Sequence, residues 1–160
     1  MNLLKRTIAP VTDEAWKEIE DEASRVLKSQ LSARTLVDLS GPHGWELGAI
    51  NLGRVAIPKK QAQRGVHWGP REVLPLIEVR VPFKLNQLEI DNITRGSADA
   101  DLNPVSDASR KIALFEDGAI YNGFAAGNIE GILPASKHRA VALPADPDAF
   151  PDAVGKAVKA

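Results

Sequence analysis

At 160 residues, 44% hydrophobic and 26% charged, with a formal net charge of −1, the chain has the composition of one soluble globular domain, or one domain with an extension. The neutral balance, with no clustered basic charge, argues against a dedicated nucleic-acid or membrane-surface binder. There is no cysteine, which excludes disulfides, thiol nucleophiles and thiolate metal sites. No run approaches the roughly 20 apolar residues of a membrane span. The first ten residues carry Lys5 and Arg6 after Leu3 and Leu4, the wrong order for a signal peptide, so a cytoplasmic location is the default.

After this short arm, Thr12 or Asp13 caps a helix running to about Leu31. Trp16, Ile19, Ala23, Val26, Leu27 and Leu31 form its apolar face, while Glu14, Lys17, Glu18, Glu20, Asp21 and Lys28 face solvent. Acidic residues at its start and Lys28 near its end suit the helix dipole. Such a face fits an ordinary core helix or a docking helix on an assembled surface. Residues 34–39 (RTLVDL) alternate like a strand, and 40–45 (SGPHGW) form a turn cluster. Residues 46–73 hold short β-like pieces, INLGRVAI and then GVHW, separated by a basic patch, PKKQAQRG, with too little apolar material for a core of their own. They read as a projecting two-stranded loop, an edge that invites a partner.

Residues 75–84 alternate again, with Val79, Val81 and Phe83 on one side and Arg80 and Lys84 on the other, the pattern of a strand with one buried face. Asn86 is placed to cap a short helix ending at Gly96. A long helix follows, with Asn103 as N-cap and Pro104 at its first position. Val105, Ala108, Ile112, Phe115 and Ala119 give it a continuous apolar stripe, with Asp107, Arg110, Lys111, Glu116 and Asp117 on other faces. Beyond Phe124 the chain is loop-rich until Asp152 caps a last short helix, AVGKAVKA.

Nothing in this order resembles a reaction centre. His43, His67 and His138 lack metal-ligand spacing. Asp99 and Asp101 lack the glycine and distal glutamate of a calcium loop, and Gly41, Gly44 and Gly48 are too widely spaced for a phosphate cradle. No G-x-S-x-G elbow occurs. Lys59, Lys60 and Arg64 are read as a solvated loop tip. An enzyme is not expected.

Four blocks, taken in order, carry a family resemblance: LLKRTIAPVTDEAWKEIEDEA, GPHGWELGAINLG, LPLIEVRVPFKLNQLEIDNITRG and ALFEDGAIYNG. Together they resemble the encapsulins, bacterial nanocompartment shell proteins once described as linocin-type bacteriocins. The resemblance implies an α+β fold like that of tailed-bacteriophage major capsid proteins. On that likeness residues 1–45 are the arm, helix and first strand of a peripheral domain. Residues 46–73 are the extended loop, 74–135 the peripheral domain with its spine helix, and 136–160 the start of an axial domain. The implied function is a structural shell subunit, a homo-oligomer forming an icosahedral cage.

By the same likeness, the cage encloses cargo enzymes, of the ferritin-like or dye-decolorising peroxidase type, through their targeting peptides. Val26, Leu27, Leu31, Arg34 and Asp38 would contribute to the peptide site, the alternative for these five being core packing plus an internal ion pair. Arg54, Ile57, Lys59, Arg64 and Trp68 would lie on the extended loop that meets a neighbouring subunit. Some encapsulins stack a flavin on an exposed Trp of the short helix; Leu88 stands there in this chain, so no cofactor is expected. The family continues beyond the axial-domain start, which leads to the expectation of a split or truncated chain completed by a second polypeptide. The competing expectations are a phage-type capsid protein enclosing DNA, disfavoured by the neutral charge, and an enzyme.

Overall fold

The computed structural model describes residues 5–59 and 65–159. Helix α1, Asp13–Gln30, begins where Thr12 Oγ1 accepts the Ala15 N–H at 3.3 Å, the cap expected from the sequence. Its start is steadied by the arm before it. Arg6 stacks 5.0 Å over the Trp16 ring and pairs with Glu20.

Strands β1, Ala49–Val55, and β2, Arg71–Pro75, pair antiparallel, with Ile50 opposite Leu74 and an irregularity between Asn51 and Val55. Backbone bonds from Ala56 N–H to Pro70 and from Leu76 N–H to Gly48 extend the pairing at either end. A two-stranded element is present as expected, but its second strand is Arg71–Pro75, which runs past residue 73, and not the GVHW piece at 65–68, which lies outside any strand. Ile50, Leu52, Val55 and Val73 are all exposed, so the ribbon is satisfied along its backbone but not along its side chains.

Helix α2, Gln87–Thr94, is capped by Asn86, whose side chain accepts the Leu88 N–H at 2.9 Å. It ends as expected at Gly96, which takes φ +92°, open to glycine at little cost. There Ser97 N–H reaches the Asn92 carbonyl and Gly96 N–H the Ile93 carbonyl, the paired bonds of a Schellman ending. Helix α3, Asn103–Asn122, is the longest element. Two minor helices follow, α4, Ile132–Ala135, and α5, Phe150–Val158.

The core sits where α1 and α2 meet. Ala15, Ile90 and Ile93 form a buried cluster, with Val11, Leu85, Ala100 and Leu102 packed around it. Farther along, α1 lies against α3, where Ile19 and Val26 of α1 and Val105, Ala108 and Ala113 of α3 are buried.

Four further expectations need correction. Residues 34–39 are not a strand: the chain leaves α1 through a 3-10 turn, Ala33–Thr35, held by bonds to α3. Residues 79–83 are extended and keep their alternation at Val79 and Val81, but they form no ladder because no other strand lies alongside among the described residues. Phe83 is exposed. Leu102, not Asn103, is the N-cap of α3, because Asp101 Oδ1 takes the Asn103 N–H at 3.0 Å and starts the helix one residue early. The last helix likewise starts at Phe150, with Asp152 already inside its first turn.

The central cluster is expected to dominate stability. Ile93→Ala should cost about 2–4 kcal/mol in urea unfolding, whereas Leu114→Ala, at a position 70% exposed, should stay within about 0.5 kcal/mol.

Candidate functional site

Three surfaces concern assembly or binding. The first is the C-terminal end of α1 and the turn after it. Helix α3 offers this segment a polar receptor. Asp117 accepts the Ser32 N–H and the Ala33 N–H at 3.0 and 3.1 Å, and the Ser32 hydroxyl at 2.7 Å. Tyr121 OH stands 3.1 Å from the same hydroxyl. One turn away, Arg34 grips Glu116 with two bonds of 2.6 and 2.8 Å, the geometry of a bidentate pair. Near the other end of the contact, Ser106 donates its hydroxyl to Glu22, which Arg25 also holds through two bonds of 2.7 Å.

The electrostatics follow from these donors. Hydrogen bonds from Arg25 and then Ser106 pull the Glu22 carboxyl from its usual 4.5 to about 2. The Ser32 hydroxyl, with the amides of Ala33 and Ser32, lowers Asp117, and Glu116 raises Arg34. Glu22 and Asp117 tie α1 and its exit turn to α3; sequence reading had left Asp117 on an outer face and singled out neither as a tether. The one available signal was Ser106 and Ser109, weak helix formers inside a long helix, and both are buried here.

Val26 and Leu31 lie in this contact, 2% and 9% exposed, and Leu27 is half-buried beside them. Arg34 is engaged with Glu116, while Asp38 is exposed and beyond the turn.

The second surface is the ribbon and its tip. Arg54, Ile57, Lys59 and Trp68 are all exposed there, Ile57 by 77%. Arg64 lies outside the described residues. Leu88 is exposed on the first turn of α2. Among the described residues, no three His, Asp or Glu side chains gather into a metal-binding set, and no helix is long and apolar enough to cross a membrane.

The third surface is a groove of about 1050 Å³ between the segment after β2 and the far face of α3. Leu76, Ile77 and Val79 form one wall, and Ile112, Phe115 and Ile120 the other. Gly127 sets its floor: a Cβ there would meet the Ile77 and Phe124 side chains at 2.8 Å, so a larger residue would force these side chains to shift.

The family model described as encapsulating protein for peroxidase (Linocin_M18) matches residues 1–160. The chain belongs to the encapsulin family. It is 46% identical over 158 residues to the type 1 encapsulin shell protein of Mycolicibacterium paratuberculosis. It is 44% identical over 158 residues to that of Mycobacterium tuberculosis, and 45% over 163 to that of Rhodospirillum rubrum. Each alignment takes in 99% of this chain, which spans only 58–59% of those relatives' length. All three relatives are named as type 1 encapsulin shell proteins.

Because folding lowers the Glu22 pKa, its tether contributes fully above pH 4.5 and is lost as the pH falls through about 2. Asp117, also lowered, acts in the same sense. Glu22→Gln is expected to cost about 1 kcal/mol at neutral pH, since Arg25 is largely exposed, and to flatten the acid limb of stability. Urea titrations at stepped pH between 7 and 2 check both.

Proposed function

We propose that this encapsulin chain is a structural subunit of an icosahedral shell with the tailed-phage capsid architecture, enclosing enzyme cargo rather than DNA. The observation that carries the reading is the β1–β2 ribbon. Its backbone is paired, yet Ile50, Leu52, Val55, Ile57 and Trp68 are exposed along it. An apolar ribbon of this kind gains its burial from a neighbouring subunit, as shell contacts require. Arg54, Lys59 and Arg64 would serve that contact at its polar rim.

The cargo site is proposed at the end of α1. Leu27 offers the accessible apolar contact for a targeting peptide, and Val26 and Leu31 shape it from beneath. Arg34, already shared with Glu116, and Asp38 form its polar edge. An extended peptide bearing branched apolar side chains suits such a site. The open groove beside α3 is a further apolar face that a partner or another part of the family's fold would cover.

Negative-stain microscopy of the protein produced with a peptide-tagged reporter is expected to show closed shells that retain the reporter. Leu27→Asp should cut reporter loading by about tenfold or more while shells still form. Shells carrying nuclease-resistant nucleic acid would favour the DNA-enclosing alternative, and absence of shells under every partner condition would refute the reading.

A further inference from the structure

Arg34 stands at the polar edge of the cargo site, yet it offers no free positive charge there. Its Nε and Nη2 donate to the two Glu116 carboxylate oxygens at 2.6 and 2.8 Å. Asp117 adds a second carboxylate close enough to act on the same guanidinium. One cation between two anions leaves this cluster net negative. Arg34 keeps 46% of its side chain exposed, and no hydrogen bond to its Nη1 occurs among the described residues. Lys28 and Asp38, exposed before and after the turn, carry opposite charges and do not change that balance.

We infer that Glu116 sets the charge specificity of the cargo site: it turns Arg34 from a carboxylate receptor into a neutralised donor for peptide carbonyl oxygens. The site then accepts a targeting segment that is uncharged beside its apolar residues and discriminates against one carrying Asp or Glu there. The inference rests on the cargo-site reading above and adds to it the charge of the peptide that fits.

The bonding of Arg34 carries this assignment. An arginine holds a carboxylate best through two parallel N–H bonds, and the edge that includes Nε is already filled by Glu116. An incoming carboxylate is left with the outer edge, where Glu116 and Asp117 repel it, and such like-charge juxtaposition excludes wrong partners. A carbonyl oxygen needs one N–H and brings no charge, so Nη1 suits it. Glu116 also lines the groove beside α3 and is only 30% exposed, so it is held more firmly than a free surface side chain.

The test coproduces the affinity-tagged chain with two reporters of different colour. Both end in the same Leu- and Ile-bearing peptide, except that one has Gln and the other Glu beside the apolar residues. The readout is the ratio of reporters recovered with the chain. About threefold more Gln reporter than Glu reporter is expected, the size of one half-exposed charge contact. Glu116→Gln should bring the ratio to about one or below, while Arg34→Gln, which leaves Glu116 unpaired, should widen it. A purely structural pair would lower both reporters alike in either variant and leave the ratio where it was. That result overturns the inference. So does an equal ratio with the unaltered chain, a comparison that needs no variant to fold. Equal recovery of both reporters, lost on Leu27→Asp, would keep the cargo site and remove its charge specificity. Recovery of neither would remove the cargo site itself and this inference with it.

Discussion

The contact between α1 and α3 is the constraint on which the rest of the chain depends. Ile19 and Val26 of α1 and Val105 of α3 are buried there, and small buried residues of α3, Ser106, Ser109 and Ala113, let the helices approach. Close approach alone does not fix how far one helix slides along the other. Two carboxylates do. Glu22 takes the Ser106 hydroxyl near the start of α3, and Asp117 takes the amides of Ser32 and Ala33 near its end. Asp117 also absorbs N–H groups that a chain leaving a helix would otherwise expose, so one side chain both ends α1's path and anchors it. The direction in which residues 36–48 leave toward the ribbon follows from that anchor.

Helix α3 thus has two working faces with different chemistry. The face toward α1 is closed by the chain itself and uses directional, charge-assisted bonds, which specify geometry more than they add stability. The face toward the groove carries Ile112, Phe115 and Ile120, and Leu74 to Val79 and the turn after α3 line most of the rest of it. The apolar stripe read from the sequence runs along the boundary between the two. Val105, Ala108 and Ala119 are buried, while Ile112 and Phe115 are only half-buried, as expected of a stripe that one partner covers incompletely.

Local signals were legible in the sequence, and distant ones were not. Thr12, Asn86 and Gly96 mark helix ends through bonds made within a few residues, so the sequence carries the whole of each device. The ribbon's first strand was visible for the same reason, whereas its second lies after GVHW and not in it. The tethers were not visible: Asp117 and Ser32 are 85 residues apart, and nothing around either position announces the other. Alternation misled at residues 34–39 because it records which side chains point together, whereas a strand also needs a neighbour. At 79–83 the same pattern gave Val79, Val81, Arg80 and Lys84 their correct sides without a ladder. Of the residues expected at the cargo site, Val26, Leu27, Leu31 and Arg34 gather at one helix end, but Arg34 faces Glu116, a partner no local pattern reveals.

A subunit whose apolar surface is closed only by neighbours links its own stability to assembly. Anything that binds the folded chain and not the unfolded one stabilises it by mass action. The ribbon and the groove both present rows of large apolar side chains, and neither Glu22 nor Asp117 lines the groove. The frame is therefore set within the chain by its own buried cluster and polar tethers, while the ribbon and groove stay open. That order suits a shell. If the apolar contacts also set the internal geometry, a subunit could adopt its shape only after docking, and wrong partners would mould wrong shapes. With the frame fixed first by Glu22 and Asp117, a neighbour that fails to fit the exposed ribbon or groove gains little by binding there, so closure is left to the partners whose surfaces match.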